Sequence, residues 1–418
     1  MAMEQERERE RSRELDWLVF LYMFSTMVFP AVPVLSRLSL LFAIGLGFSL
    51  AIRYLRGRAL TVSPWMGLAL LFILYALASI WWSTDPQLAL QSSISLVSTG
   101  MGALLLWVAL LSGASWNSVV AGSLWSGVAI IVSTLPEMAS SGANMRVAGI
   151  LGNPNAMAIH LTTVAFVLMA APRRQGLYGI CAVGFVLFAT IFSGSIKMLL
   201  FWAVFLAYAG FQLNRWSRKS YLHKALLMGL YLLMIAVPLV IGSLLIDNLE
   251  SMTVTKRFIA LLEGENTSGT TRLDMLQQAL GLWMENPMLG HGIDQFRVLG
   301  SYGTYSHNNY VEMLADFGIV GTALYYVTDA ILLALCFKGL FSENKLHRLV
   351  FIMTTASLLW DVGLVSYVEK SAWIATSISF YMLHQAKREE GHRLVRAGNL
   401  IPGVENNAQA KTSGSYRT

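Results

Sequence analysis

Apolar stretches long enough to cross a bilayer recur from one end of this chain to the other. A spanning helix needs roughly 17–25 such residues. Inside lipid no water is available to the backbone, so helices and closed barrels are the only structures that satisfy it. Barrel strands would leave short alternating segments, and the sequence has none. Of 418 residues, 55% are hydrophobic and 13% charged, where a soluble domain carries about 25% charged residues. The chain reads as an all-α polytopic membrane protein with about 12 transmembrane helices. They are expected near 15–34, 36–52, 64–82, 88–111, 116–136, 155–171, 176–194, 196–213, 225–246, 317–338, 349–367 and 371–386. The seventh and eighth meet at Ser193-Gly194-Ser195, as a tight hairpin or one broken helix.

Basic residues orient the bundle, because cytoplasmic loops retain Lys and Arg. With the N-terminus inside, the outward segments hold eight of the 30 basic residues: Arg37, Arg146, Lys197, Lys256, Arg257, Arg272, Arg297 and Lys370. That asymmetry predicts both termini in the cytoplasm and an even number of spans. It also accounts for the formal net charge of +6 without invoking nucleic acid. The expected organisation is a charged cytoplasmic arm over 1–14, helices one to nine over 15–246, and a long outward loop with amphipathic helices over 247–316. Helices ten to twelve follow over 317–386, and a basic, largely disordered cytoplasmic tail over 387–418. The first apolar run follows the charged arm without a small-x-small cleavage pattern and is expected to remain as a span. Cys181 and Cys336 fall in apolar runs and read as buried small side chains.

Cations on the disfavoured side are the first candidates for function. Arg146 precedes Gly149, Gly152 and Asn153-Pro154-Asn155. There Asn153 reads as a helix cap and Pro154 as first-turn residue, so both have a structural role at hand. A helix N-terminus beside an arginine suits an anion; Arg146 could equally meet a lipid headgroup. Lys197 either snorkels to the headgroups or points into the bundle. In the long loop, Leu273, Leu276, Leu280 and Trp283 recur at helical spacing. They predict an amphipathic helix that is capped near Thr270 or Thr271 and ends at Asn286-Pro287, with Arg272 in its first turn. Gly290-His291-Gly292 reads as a turn with His291 exposed. His307 precedes Asn308 and Asn309 at a helix start, and an imidazole there can take a proton from a hydroxyl, although a loop histidine is more often structural. Glu312 and Asp316 share one helix face. His160, inside the sixth segment, is expected to make a hydrogen bond within the bundle.

These residues resemble the O-antigen ligase and O-antigen polymerase family of bacterial envelope glycosyltransferases. The resemblance covers roughly 140–325. It rests on Arg146 to Asn155, on the Ser193–Lys197 corner, and most specifically on Arg272, Asn286-Pro287-Met288-Leu289-Gly290-His291-Gly292 and His307-Asn308-Asn309-Tyr310, then Gly318 and Gly321. It implies a multi-pass protein of the bacterial inner membrane that works on the outer face. Such enzymes move a glycan from undecaprenyl diphosphate to an acceptor hydroxyl, with inversion and with no metal, cofactor or nucleotide sugar. Arg146, Lys197 and Arg272 would hold the diphosphate, and His307 with Arg272 would be catalytic. Asn308, Asn309 and Glu312 would orient the acceptor, while Asn153, Pro154, Gly290 and Gly292 would shape the site. The family's Ser-Arg corner is Ser195-Ile196-Lys197 here, and a lysine supplies charge without the guanidinium fork. Implied partners are the lipid-linked donor, a glycan or lipid A-core acceptor, membrane lipid and other envelope polysaccharide assembly proteins. The Ser306-His307-Asn308-Asn309-Tyr310 form leans toward a repeat-unit polymerase, with ligation to lipid A-core as the alternative. A polysaccharide-lipid flippase or transporter is the reading from another class, and it would gain if Asp329 and Asp361 formed a mid-membrane polar path.

Overall fold

The computed structural model describes residues 2–141, 146–171, 175–195, 198, 267–339 and 344–398, and all regular structure among them is helical. The helices are α1 (Ala2–Val28), α2 (Ser36–Leu55), α3 (Met66–Ala78, continued by a 3-10 turn over Ser79–Trp82), α4 (Pro86–Leu111), α5 (Trp116–Ser141), α6 (Pro154–Ala170) and α7 (Gln175–Ser193). After the gap come α8 (Thr267–Glu285), a single turn over Phe296–Leu299, α9 (Asn309–Gly339), α10 (Lys345–Asp361) and α11 (Lys370–Gly398). The expected spans at 196–213 and 225–246, together with Lys197, the first part of the long loop and the tail beyond 398, lie outside the described residues.

Among the described residues four helices are long and apolar enough to cross a membrane: α2, α4, α5 and α9. Their outer surfaces remain greasy. Leu41, Ile44 and Phe48 of α2 are all more than half exposed, a patch that water would not tolerate and lipid would. Inward, one continuous core joins α1 to α7 with α9, α10 and α11. Phe72 of α3 marks its centre, with ring centroids 5.5 Å from Phe317 and 5.2 Å from Tyr325.

Helix starts follow local chemistry. Asp85 caps α4, its Oδ1 accepting from the N–H groups of Gln87 and Leu88 at 3.0 Å each, with Pro86 in the first turn. Asn153 caps α6 through Asn155 N–H at 2.9 Å, again with proline next. Both pairs satisfy orphan N–H groups while proline gives up a donor that has no use there.

The amphipathic helix of the long loop already includes Thr267 to Thr271, so it is not capped near Thr270 or Thr271. Arg272 therefore stands beyond the first turn, where the unfavourable helix field on a cation has faded. The expected face is met in part: Leu276 and Leu280 pack beside Met275 and Ala279 against Phe296, Val311 and Ala315, whereas Leu273 is more than half exposed.

α9 is broken at Gly318, whose φ of 61° and ψ of −167° interrupt the helix. Here the Pro287–Gly292 segment crosses it. Ile319 N–H donates to the Pro287 carbonyl at 2.9 Å, and the N–H groups of His291 and Gly292 donate to Ala315 and Asp316 at 2.9 and 2.7 Å. A Cβ on Gly290 would stand 2.5 Å from the Asp316 carbonyl oxygen, and one on Gly318 would run into the Met288 carbonyl. His291 is consequently not an exposed turn residue; its ring reaches the Leu282 carbonyl through Nε2 at 2.9 Å.

Gly318→Ala is expected to lower the melting temperature followed by tryptophan fluorescence in detergent. The backbone there lies in a region open essentially to glycine alone, a strain of about 1–3 kcal/mol before any clash. Gly281→Ala, in mid-α8 with open space where its Cβ would stand, is the control and should be neutral or slightly stabilising. Equal melting temperatures for the two variants would show that the crossing does not hold the loop.

Candidate active site

The segment 293–297 is clamped onto the start of α4 by contacts that lie far apart in sequence. Gln295 accepts from Asp85 N–H at 2.7 Å and donates back to the Asp85 carbonyl at 3.2 Å. Ser92 donates to Asp294 Oδ2 at 2.7 Å, and Arg297 Nε stands 3.2 Å from Asp294 Oδ1. From the other side, the fully buried Asp316 carboxylate accepts from the N–H groups of Asp294 and Phe296 at 3.0 and 2.8 Å, and from the Tyr367 hydroxyl at 3.3 Å. Asp316 organises this turn. Its helix-face neighbour Glu312 instead accepts from Ser306 N–H.

Asn308 and Asn309 have structural work. Asn308 Oδ1 caps α9, accepting from Tyr310 N–H at 3.0 Å and Val311 N–H at 3.3 Å. Asn309 is fully buried. Its amide donates to the Tyr326 hydroxyl and Asp361 at 2.7 and 3.2 Å and accepts from Ser366 and Tyr367 N–H at 2.9 and 3.2 Å. Those four bonds tie the start of α9 to the α10–α11 turn. Just before them, His307 adopts φ 62° and Asp294 φ 60°, the two non-glycine residues with positive φ among those described. Left-handed backbone at such residues concentrates at functional sites. The His307 ring packs edge-on against Tyr305, centroids 4.3 Å apart.

At the start of α6, Arg146 Nε donates to the Ser193 carbonyl at 2.8 Å and Nη2 reaches Asn155 Oδ1 at 3.4 Å. Glu137 accepts from Ala148 and Gly149 N–H at 2.8 and 3.0 Å, which fixes the turn carrying Arg146.

These pieces enclose a hollow of about 400 Å³ at one end of the bundle. Its wall is built from the first turns of α4 (Ser92, Ser95) and α6 (Asn153, His160), the clamped segment (Asp294, Arg297), Tyr305 and Glu312, and the α10–α11 turn (Tyr367, Glu369). Burial pushes Asp294 and Glu369 above the ordinary carboxylate range, opposed at Asp294 by Ser92 and Arg297 and at Glu369 by Lys370. The Tyr305 phenol is raised by burial and by the charges of Glu369 and Glu312, and pulled back by Arg272 and Arg297.

Of the expected site residues, the structure brings Glu312 and Asn153 into the wall. Arg146, Arg272 and His307 are not lining residues. His307 is joined to the hollow through Tyr305, Arg272 acts electrostatically on that same phenol, and Arg146 borders the first turn of α6 through Asn155. Several wall residues carried no sequence signal as site residues, among them Ser92, Asp294, Tyr305, Tyr367 and Glu369. Arg297 stood out only as one more cation on the disfavoured side.

Residues 159–326 match the family model described as O-antigen ligase. That stretch of the chain is similar to the O-antigen ligase family. No curated protein matches the chain. The matched stretch runs from α6 into α9 and contains His160, Arg272, Gly290, Gly292, Arg297, Tyr305, His307 and Glu312. Arg146, Asn153 and Ser92 precede it, and Tyr367 and Glu369 follow it. The Arg146–Asn155 part of the resemblance thus lies outside the matched residues, while the wall of the hollow is completed by segments on both sides of them.

Proposed function

We propose that this protein transfers a glycan from undecaprenyl diphosphate to an acceptor hydroxyl on the outer side of the bacterial inner membrane, in envelope polysaccharide assembly. Both termini lie in the cytoplasm in this reading, and 247–316 forms the outward loop. The observation that supports it is the location of the hollow: Ile159, His160, Asp294, Arg297, Tyr305 and Glu312 of its wall fall in the stretch that matches the O-antigen ligase family model, with His307 at its edge and Arg272 within electrostatic reach of Tyr305.

The reaction is one displacement. The acceptor oxygen forms a bond to the anomeric carbon as the bond from that carbon to the diphosphate oxygen breaks, and configuration inverts. The departing electron pair stays on the diphosphate. Fixed cations stabilise that growing charge most in the transition state, a task for Arg272 and Arg146, with Lys197 as a third cation. The hydroxyl proton passes to His307, since an imidazole is the side chain best suited to take a proton near neutral pH.

The acceptor is a second lipid-linked glycan in the first reading, a repeat-unit polymerase. The description of the matched family favours the second, ligation to lipid A-core. Deleting the gene and running the cells' envelope polysaccharide on a gel separates the two. Single repeat units on the core mean polymerase, unattached long polymer means ligase, and an unchanged ladder contradicts both.

A further inference from the structure

We propose that a groove between α1 and α2 binds one anionic phospholipid of the phosphatidylglycerol class, with its phosphate at Arg53 and Arg56 and an acyl chain lying along α2. The site is separate from the hollow and does not depend on the transfer reaction.

The groove has a volume of about 810 Å³. On α2 its lining is a single stripe: Gly45, Phe48, Ser49, Ile52, Arg53 and Arg56 recur three and four residues apart, the spacing of one helix face. On α1 it is lined by Glu14, Trp17 and Leu18. The two helices approach each other at Gly45, where a Cβ would stand 3.2 Å from Leu18 Cδ2. Gly45 and Leu18 therefore mark the narrow end, and the arginines stand at the other.

The chemistry changes along the stripe. Phe48 and Trp17 are exposed, and Phe48 continues the greasy surface of Leu41 and Ile44. A tryptophan at the border between such a surface and charged residues suits the headgroup level of a bilayer. Arg53 and Arg56 come next. Arg53 Nη2 donates to the Ser112 carbonyl at 3.2 Å, which fixes that side chain against the turn after α4. Arg56 is exposed at the mouth. A cation in the last turn of α2 also complements the helix carbonyls, but that role does not account for the apolar groove beside it. Guanidinium groups fit phosphate geometry, and basic pockets between spanning helices on the cytoplasmic side take anionic headgroups. That is the side on which this groove lies in the reading above.

Two features narrow the occupant. Glu14, on the α1 bank, would repel a bare phosphate, yet it can accept from the hydroxyl groups of a glycerol headgroup. From Gly45 to Arg56 a helix rises by roughly 16 Å. One leaflet of a hydrocarbon core about 30 Å thick has about that depth. A phospholipid with its phosphate at the arginines thus has an acyl chain that reaches the Gly45 end.

The test uses full-length protein, stripped of lipid in detergent and checked for monodispersity. It is titrated with phosphatidylglycerol or with phosphatidylcholine of the same acyl chains and read by native mass spectrometry. The wild type is expected to hold one phosphatidylglycerol about tenfold more tightly than phosphatidylcholine, and Arg56→Gln to lose about fivefold of that affinity. Ser49→Phe, which fills the groove without changing charge, should also weaken phosphatidylglycerol binding. Arg37→Gln removes the same charge from the opposite end of α2 and should leave it unchanged. Melting temperature is the second readout: a ligand of the folded state raises it by mass action, so phosphatidylglycerol should raise it in the wild type and in Arg37→Gln, and less in Arg56→Gln. Equal affinity for the two lipids overturns the site. So does an Arg37→Gln protein weakened as much as Arg56→Gln, because the attraction would then be diffuse surface charge. Wild-type affinity in a folded Ser49→Phe protein would put the lipid elsewhere and overturn it as well.

Discussion

His307→Asn is expected to lower glycan transfer by about 10²–10⁴-fold, the span that a positioned general base contributes, with membrane insertion and melting temperature unchanged. Asparagine is the informative replacement. Position 307 has φ 62°, a conformation that Asn enters more readily than most side chains, so the turn between Tyr305 and the α9 cap is kept. What disappears is a group able to take a proton near pH 7. His307→Ala removes the imidazole too, but adds backbone strain next to Asn308 and Asn309, and so mixes two effects. Initial rates with purified protein, lipid-linked oligosaccharide and acceptor decide the matter. Wild-type rates in His307→Asn would assign the proton to another group.

The second large effect belongs to Arg272. Arg272→Ala should cost about 10²–10³-fold in transfer, the loss typical of removing one preorganised group facing developing charge. Arg272→Lys should recover part of it, because a lysine restores charge but not the bidentate fork that fits phosphate. The stability effect should be small, since the side chain lies on the exposed side of α8. Its charge nonetheless reaches Tyr305, the ring against which His307 packs. An Arg272→Ala protein that transfers normally would remove the cation from the chemistry.

The legible parts of the molecule were the local ones. Apolar runs marked where the described helices stand, because a spanning helix advertises its length. Asn153-Pro154 announced the start of α6, since a cap and its proline are neighbours in sequence. The glycines at 290 and 292 announced a turn, though not that it would cross a broken helix at Gly318. The wall of the hollow was largely illegible, for a physical reason. Ser92 meets Asp294 across 202 residues, and Asp85 meets Gln295 across 210. No periodicity or short motif encodes such pairs. The same distance hid the bonds of Asn309, whose amide meets Ser366, Tyr367 and Asp361. Asp316 read only as the helix-face neighbour of Glu312, and its partners at 294, 296 and 367 make it the post on which the clamped turn rests. The expected bundle hydrogen bond of His160 is met within its own helix, through Nδ1 and the Ala156 carbonyl.

The most direct test of the account is a cryo-electron microscopy map of the protein in nanodiscs with a lipid-linked oligosaccharide bound. The predicted map has phosphorus density beside Arg272 and the anomeric carbon on the His307 side. A ligand bound away from both the hollow and Arg272 would contradict it.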